Sequence, residues 1–277
     1  MSKLKKVKAD LQSLKTDAQI VNYWEHNHSR VLERINNSES DWEVATDVIY
    51  QFAKSLNDRE QYSAVYYLYK VGYLKVEKHL IQSNELNELK YELGKGLHHN
   101  RKYKHSNRLF NELGDVGFDI SRLEGWWDQS AFGSSREKYW YKAELLPGLI
   151  TLLITLIYIY LVSKTEEFII STISFVLLME LFETWRYKYK ISIYLKEYEH
   201  QNEVKEIERK IKKKLLLELL LSLIFYPIYL INQDWLIPVV IALGAYFQIF
   251  NYWLNDHYLP QLIGDINRRK HLSKENQ

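Results

Sequence analysis

Three glutamates lie inside long apolar segments in the second half of the chain. Glu180 and Glu183 fall near the end of the segment 168–187, and Glu218 lies one turn into the segment 215–231. A carboxylate within hydrocarbon costs about 2.5–3.5 kcal/mol on insertion scales, so intramembrane acids usually have a function. These three acids are therefore the first candidates for chemistry in this sequence.

Further polar side chains are predicted to lie at a similar depth. Arg186 follows Glu183 by three residues, so the two share a helical face. Other polar residues follow along the last apolar segment and just beyond it. The full predicted cluster is Glu180, Glu183, Arg186, Glu218, Gln248, Asn251 and Asp256, and His257 follows just past the last segment.

Three kinds of chemistry fit this cluster. The acids could form structural or oligomer-fixing polar contacts, or they could line a pore or a proton path. Alternatively, carboxylates with a nearby imidazole could bind a hard divalent cation as the cofactor of a membrane-embedded enzyme. The sequence has no phosphate-binding glycine loop or dinucleotide motif, which favours a non-enzymatic function. The residues of the enzyme alternative are Glu180, Glu183, Glu218, Asp256 and His257.

Four apolar segments must position these side chains. Each has between 15 and 19 residues, close to the length that crosses a hydrocarbon core of about 30 Å, so the sequence predicts four transmembrane helices arranged as two hairpins. The segments are 145–162, 168–182, 215–231 and 235–253.

The distribution of Lys and Arg predicts the orientation of these helices. The stretch 186–214 contains ten Lys or Arg residues, whereas 163–167 contains one and 232–234 contains none. Because basic loops remain on the cytoplasmic side, both termini are expected inside the cell, with the chain in a bacterial inner membrane. The predicted interface residues are Trp126, Trp127, Trp140, Trp185, Trp253, Lys212, Lys213 and Lys214.

The resulting all-α organisation places a soluble domain before the membrane domain. The predicted parts are a cytoplasmic helical domain at 1–125, an aromatic interfacial segment at 126–142, a first transmembrane hairpin at 143–188, a basic cytoplasmic helical linker at 189–214, a second hairpin at 215–255 and a cytoplasmic tail at 256–277.

Composition excludes several other functions. The chain has no cysteine, so disulfides, thiolate chemistry and cysteine-based zinc sites are absent. Its net charge is only +2, which gives no electrostatic case for nucleic-acid binding. His26, His28, His98, His99 and His105 lack the spacing of a helical zinc site and are interpreted as surface or helix-end residues.

Helical periodicity extends through the first half of the chain. Asp41 is a predicted N-cap, and Ser121 with Glu124 forms the pattern of a capping box. The predicted helices cover about 3–35, 41–56, 59–82, 85–99 and 102–114.

One stretch, 85–117, resembles a tetratricopeptide-type helical hairpin. Leu93-Gly94 occupies the position of that repeat's Leu-Gly pair, and Tyr103, Ser106 and Phe110 follow at its later positions. A looser echo occurs about 41 residues earlier, whereas the usual period is 34 and includes a proline. The resemblance implies stacked helix pairs and a protein-binding surface.

The overall arrangement is similar to that of bacterial anti-phage membrane effectors, which join a soluble sensor to a few membrane spans. The resemblance implies an effector that assembles as a homo-oligomer and forms a pore in defence. It also implies that the cytoplasmic helices bind a protein partner. The sequence leaves open the metal-dependent membrane enzyme and a third alternative, a protein-binding scaffold tethered to the bilayer.

Overall fold

The structure, a computed structural model, describes residues 3–38, 41–162, 182, 185–186, 188–194, 209 and 254–272. Every regular element among these residues is helical, which confirms the predicted all-α class for this part of the chain. The helices are α1 Lys3–Ser13, α2 Asp17–Asn36, α3 Trp42–Asp58, α4 Tyr62–Tyr67, α5 Leu74–Val76, α6 Asn84–His99, α7 Tyr103–Asp115, α8 Ile120–Trp140, α9 Leu146–Val162 and α10 Leu259–Leu272.

Shorter helical turns connect some of these helices. A π-helical turn, Leu68–Tyr73, joins α4 to α5, and a 3₁₀ turn, Glu77–His79, follows α5. Two further π turns, Tyr141–Leu145 and Leu254–Tyr258, precede α9 and α10 respectively. The helix predicted at 59–82 is therefore a chain of short helical pieces.

The chain forms two compact units. The first comprises Met1–Ser134 together with Gly264–Gln277, and the second comprises Ser135–Ile263. The chain thus leaves the first unit within α8 and re-enters it within α10.

The first unit is built from helix pairs that stack in sequence order. The helix α3 packs against both α1 and α2, and α6 packs against both α3 and α4. Each new pair therefore places its first helix on both helices of the preceding pair, which is how helical repeats bury a continuous core. Fully buried side chains of α3 and α6, such as Phe52, Leu56 and Leu93, supply that core.

The same turn ends α3 and α6. Glu60 and Arg101, 41 residues apart, have φ values of 57° and 56°. The amide that follows each of them donates to a carbonyl five residues back, with N···O distances of 2.8 Å for both Gln61 to Leu56 and Lys102 to Leu97. Each of these residues therefore ends its α-helix with left-handed backbone angles, a common form of helix C-cap. The period of about 41 residues in the sequence therefore corresponds to a repeated turn.

The residues of the tetratricopeptide resemblance form the contact between α6 and α7. A Cβ atom at Gly94 would lie 2.6 Å from the ring of Phe110, so only glycine allows this approach. The Ser106 hydroxyl donates to the Gly94 carbonyl over 2.8 Å. The predicted helical hairpin at 85–117 is therefore present, and these three residues form a close contact between its two helices.

Two local predictions were wrong. The helix expected at 3–35 is two helices, because Thr16 has extended backbone angles and its hydroxyl accepts the Gln19 amide, which starts α2. The capping box at Ser121 does not form. Helix α8 begins one residue earlier, and the Asp119 carboxylate accepts the Ser121 amide and hydroxyl instead.

Candidate functional site

Helix α9 in the second unit carries an unusually exposed apolar face. Among its described side chains, large apolar groups recur at spacings of three and four and are between 40% and 64% exposed. Contiguous exposed apolar surface of this kind marks a membrane-contacting or protein-contacting site. The side chains are Leu146, Leu149, Leu152, Leu153, Leu156, Ile157 and Tyr160.

The other predicted membrane segments lie almost entirely outside the described residues. Of the segments 168–182, 215–231 and 235–253, only residue 182 is described. The segment 145–162 forms α9 and the last residue of the π turn before it. No described helix is both long enough and apolar enough to cross a bilayer.

A polar cluster around a buried lysine lies where the chain enters α9. The Glu144 carboxylate, in the π turn Tyr141–Leu145, accepts from the Arg136 guanidinium over 3.1 Å and from the Tyr194 hydroxyl over 2.9 Å. The Lys190 ammonium lies 3.4 Å from the same carboxylate and is only 3% exposed. We call Arg136, Glu144, Lys190 and Tyr194 the Glu144 cluster.

Burial determines the electrostatics of this cluster. It lowers the pKa of Lys190, although the Glu144 charge opposes the shift. It also raises the pKa of Tyr194, and the Glu144 carboxylate adds to that effect. A buried ammonium is stable only when it is paired, so Glu144 holds the segment 188–194 against the start of α9.

Sequence reasoning missed the Glu144 cluster because its members are far apart in the chain. Tyr194 lies 50 residues after Glu144. The one local signal was a glutamate directly before a long apolar segment. The π turn, which changes the register of the helix, is not visible in the residue pattern.

The predicted carboxylate cluster is described only in part. Arg186 is half-buried, and Asp256 and His257 are exposed within the π turn before α10. The described residues include no group of three or more His, Asp or Glu side chains arranged to hold a metal ion. Outside the described residues lie Glu180, Glu183, Glu218, Gln248, Asn251, Trp253, Lys212, Lys213 and Lys214.

The predicted interfacial tryptophans have different environments. Trp140 and Trp185, both in the second unit, are exposed. Trp126 is half-buried against His98 and His99. Trp127 is fully buried, donates its Nε1–H to Asn111 over 2.6 Å, and has no surface for lipid. Its place is in a core, a distinction that the aromatic pattern alone does not make.

One of the paired histidines at the end of α6, His98, belongs to a polar network in the first unit. His98 Nδ1 lies 2.9 Å from the Ser130 hydroxyl, which lies 2.9 Å from the Ser106 hydroxyl. Burial, with a smaller effect from His99, lowers the pKa of His98 to about 4. The interpretation of His98 and His99 as helix-end residues is confirmed, since both lie in the last turn of α6.

Comparison with known proteins adds no relative. No protein-family model, curated protein or solved structure matches the chain. The described residues define an all-helical protein with a stack of helix pairs in one unit and an exposed apolar helix in the other. The tetratricopeptide resemblance therefore rests on the residue pattern at Leu93-Gly94, Tyr103, Ser106 and Phe110 alone.

Proposed function

We propose that this chain is a non-enzymatic membrane effector of a bacterial inner membrane. Its helical stack binds a protein partner, and its second unit enters the bilayer and assembles with copies of itself, as a pore used in antiviral defence. The observation that carries the proposal is the exposed apolar face of α9.

The energy available from that face supports contact with lipid. Complete burial of one large apolar side chain contributes about 1.5–3 kcal/mol, so covering the exposed half of seven such groups contributes on the order of 5–10 kcal/mol. The exposed Trp140 is the last residue of α8, and the exposed Tyr141 begins the π turn that precedes α9. Aromatic rings at such positions favour the membrane interface.

The sequence supports the orientation and the assembly. The basic stretch 186–214 favours termini on the cytoplasmic side. Glu180, Glu183 and Glu218 are costly in lipid and are stabilised when they face partner helices or water. If the predicted spans associate with copies of themselves, these carboxylates can face either a partner helix or a water-filled pore.

A pair of matched substitutions tests membrane entry. Leu153 on α9 is 57% exposed, and Ile81 in the first unit is 63% exposed. Leu153→Glu should shift the full chain from the membrane fraction to the aqueous fraction and abolish its effect on membrane potential. Ile81→Glu should do neither, because it adds the same charge at an equally exposed position outside α9.

Three results contradict the proposal. Wild-type protein in the aqueous fraction would exclude the membrane unit altogether. Equal behaviour of the two variants would show that α9 is not the membrane-contacting element. Full function after replacement of 144–277 by an unrelated membrane anchor would favour the tethered scaffold.

A further inference from the structure

The C-terminal helix presents a polar face to the end of the helical stack. Four residues of α10 at spacings of three and four contact α7 and α8 within the first unit, so they form one side of the helix. Packed helices usually bury an apolar stripe at these positions. Here the four residues are Gly264, Asn267, Arg268 and His271.

Hydrogen bonds and ion pairs dominate this contact. The Arg268 guanidinium lies 2.6 Å from the Asp128 carboxylate and 3.2 Å from that of Glu124. His271 Nδ1 lies 2.7 Å from the Asp115 carboxylate. The Asn267 amide donates to Asn111 over 2.7 Å, and the same Asn111 oxygen accepts from the Trp127 indole.

Asp128 is the centre of the docking site on α8. A methyl group at Gly264 would overlap its carboxylate, so the two helices approach closely here. Burial raises the pKa of Asp128 to about 7 even though Arg268 acts in the opposite direction. The ion pair therefore does not fully offset the loss of hydration, and separation of α10 would return this carboxylate to water.

This docking contrasts with the packing of α1 to α7. Those helices meet through buried Leu, Val, Ile and aromatic side chains. The part of α10 that belongs to the first unit adds only the buried Ile266 to a largely polar face, whereas the buried Leu259 and Ile263 of the same helix belong to the second unit. Polar contacts specify a partner and a register more than they add affinity. A helix held in this way is positioned accurately and released readily.

We propose that Gly264–Leu272 is a detachable latch and that its release from α7 and α8 activates the second unit. The chain leaves the first unit within α8 and returns within α10, so the second unit is joined to the first at both of its chain ends. The latch forms the second of these two connections. The activating role rests on the membrane function proposed above. The detachment itself does not.

Hydrogen exchange on the full chain in detergent micelles tests detachment. Amides of Gly264–Leu272 should exchange at least tenfold faster than those of α7, and Arg268→Met should increase their rate further. Arg122→Met is the matched control, because it removes an ion pair of 2.6 Å to Glu88 on α6. The other contacts of Arg122, with the rings of Tyr91 and Phe118, also lie outside the latch. Amides of α10 that exchange as slowly as those of α7 would overturn the proposal.

A reversible cross-link tests activation, and the absence of native cysteine makes the labelling specific. Asp115→Cys with His271→Cys, joined by a short bis-maleimide that reductant cleaves, should lower dye leakage from proteoliposomes at least threefold until reductant restores it. Arg268→Met should raise leakage at least threefold. Glu88→Cys with Arg122→Cys, joined in the same way, is the control and should have no effect.

The outcomes separate the two proposals. Equal leakage from the joined and cleaved latch would overturn the activating role of the latch and leave the membrane function standing. If no variant causes leakage, the membrane function fails, and the exchange comparison still decides whether the latch detaches.

Discussion

Replacement of His98 should change how the stability of the helical stack depends on pH. The ring is half-buried at the end of α6, and its folded-state pKa of about 4 lies below the ordinary value of 6.5. The folded chain therefore keeps this ring neutral while the unfolded chain protonates it. The stabilisation from a neutral His98 is fully present above pH 6.5 and is lost as the pH falls toward 4.

The magnitude follows from these two values. The difference between 6.5 and about 4 corresponds to about 3 kcal/mol in total. Between pH 7 and pH 5 the unfolded state gains about three-quarters of a proton at this site, and the folded state gains about a tenth of one. This part of the range amounts to about 2 kcal/mol.

The measurement must compare His98→Asn with the wild type at each pH. Asparagine does not titrate, and its amide keeps a polar group near the Ser130 hydroxyl. Wild type alone is uninformative, because Asp128 has a raised folded-state pKa of about 7 and so stabilises the fold on acidification. The difference between variant and wild type cancels that contribution.

Hydrogen exchange of α6 and α7 in the full chain provides the free energies of opening. The advantage of wild type over His98→Asn should decrease by about 2 kcal/mol from pH 7 to pH 5, about a thirtyfold change in relative opening. His26→Asn, at an exposed ring on α2, controls for the loss of one imidazole. A wild-type advantage that is the same at both pH values would refute this reasoning.

Three further predictions concern packing and the Glu144 cluster, each measured by hydrogen exchange on the full chain. Gly94→Ala should destabilise the α6–α7 hairpin by about 1–3 kcal/mol, because its Cβ would press on Phe110. Gly125→Ala should be neutral or stabilising, since a Cβ there meets nothing within 4 Å. Trp127→Ala should cost α7 and α8 about 3–5 kcal/mol by leaving a cavity, whereas the exposed Trp140→Ala should leave α7 unchanged. Glu144→Leu should cost the segment 188–194 about 3–5 kcal/mol, because it removes the carboxylate beside the buried Lys190. Arg136→Met removes a half-exposed partner from the same carboxylate and should cost below about 1 kcal/mol. Equal effects within any pair would contradict the corresponding contact.

The helical stack was largely predictable because its signals are local. Apolar spacing marks α3, and Leu93-Gly94 with Phe110 marks the α6–α7 hairpin, since each pattern lies within one or two helices. The break at Thr16 was missed because a capping threonine competes with helical periodicity on both sides of it. The echo at 41 residues was visible, and the repeated left-handed turn at Glu60 and Arg101 explains it.

The long-range polar contacts could not be predicted. Tyr194 reaches Glu144 across 50 residues, and Arg268 reaches Asp128 across 140. Nothing in the neighbouring residues identifies such partners. Trp127 shows a related difficulty, because a tryptophan that fills a core and one that lies at a membrane interface can have the same sequence neighbours. The predicted acids Glu180, Glu183 and Glu218 lie outside the described residues and remain predictions.

Cysteine-accessibility mapping in intact cells tests the central claim most directly. The chain has no native cysteine, so single cysteines can be placed in 163–167 and in 186–214 and labelled with a maleimide that does not cross membranes. We expect positions in 163–167 to react from outside the cell and positions in 186–214 to react only after the membrane is opened. Labelling of 186–214 from outside, or recovery of the chain in the aqueous fraction without detergent, would contradict the account.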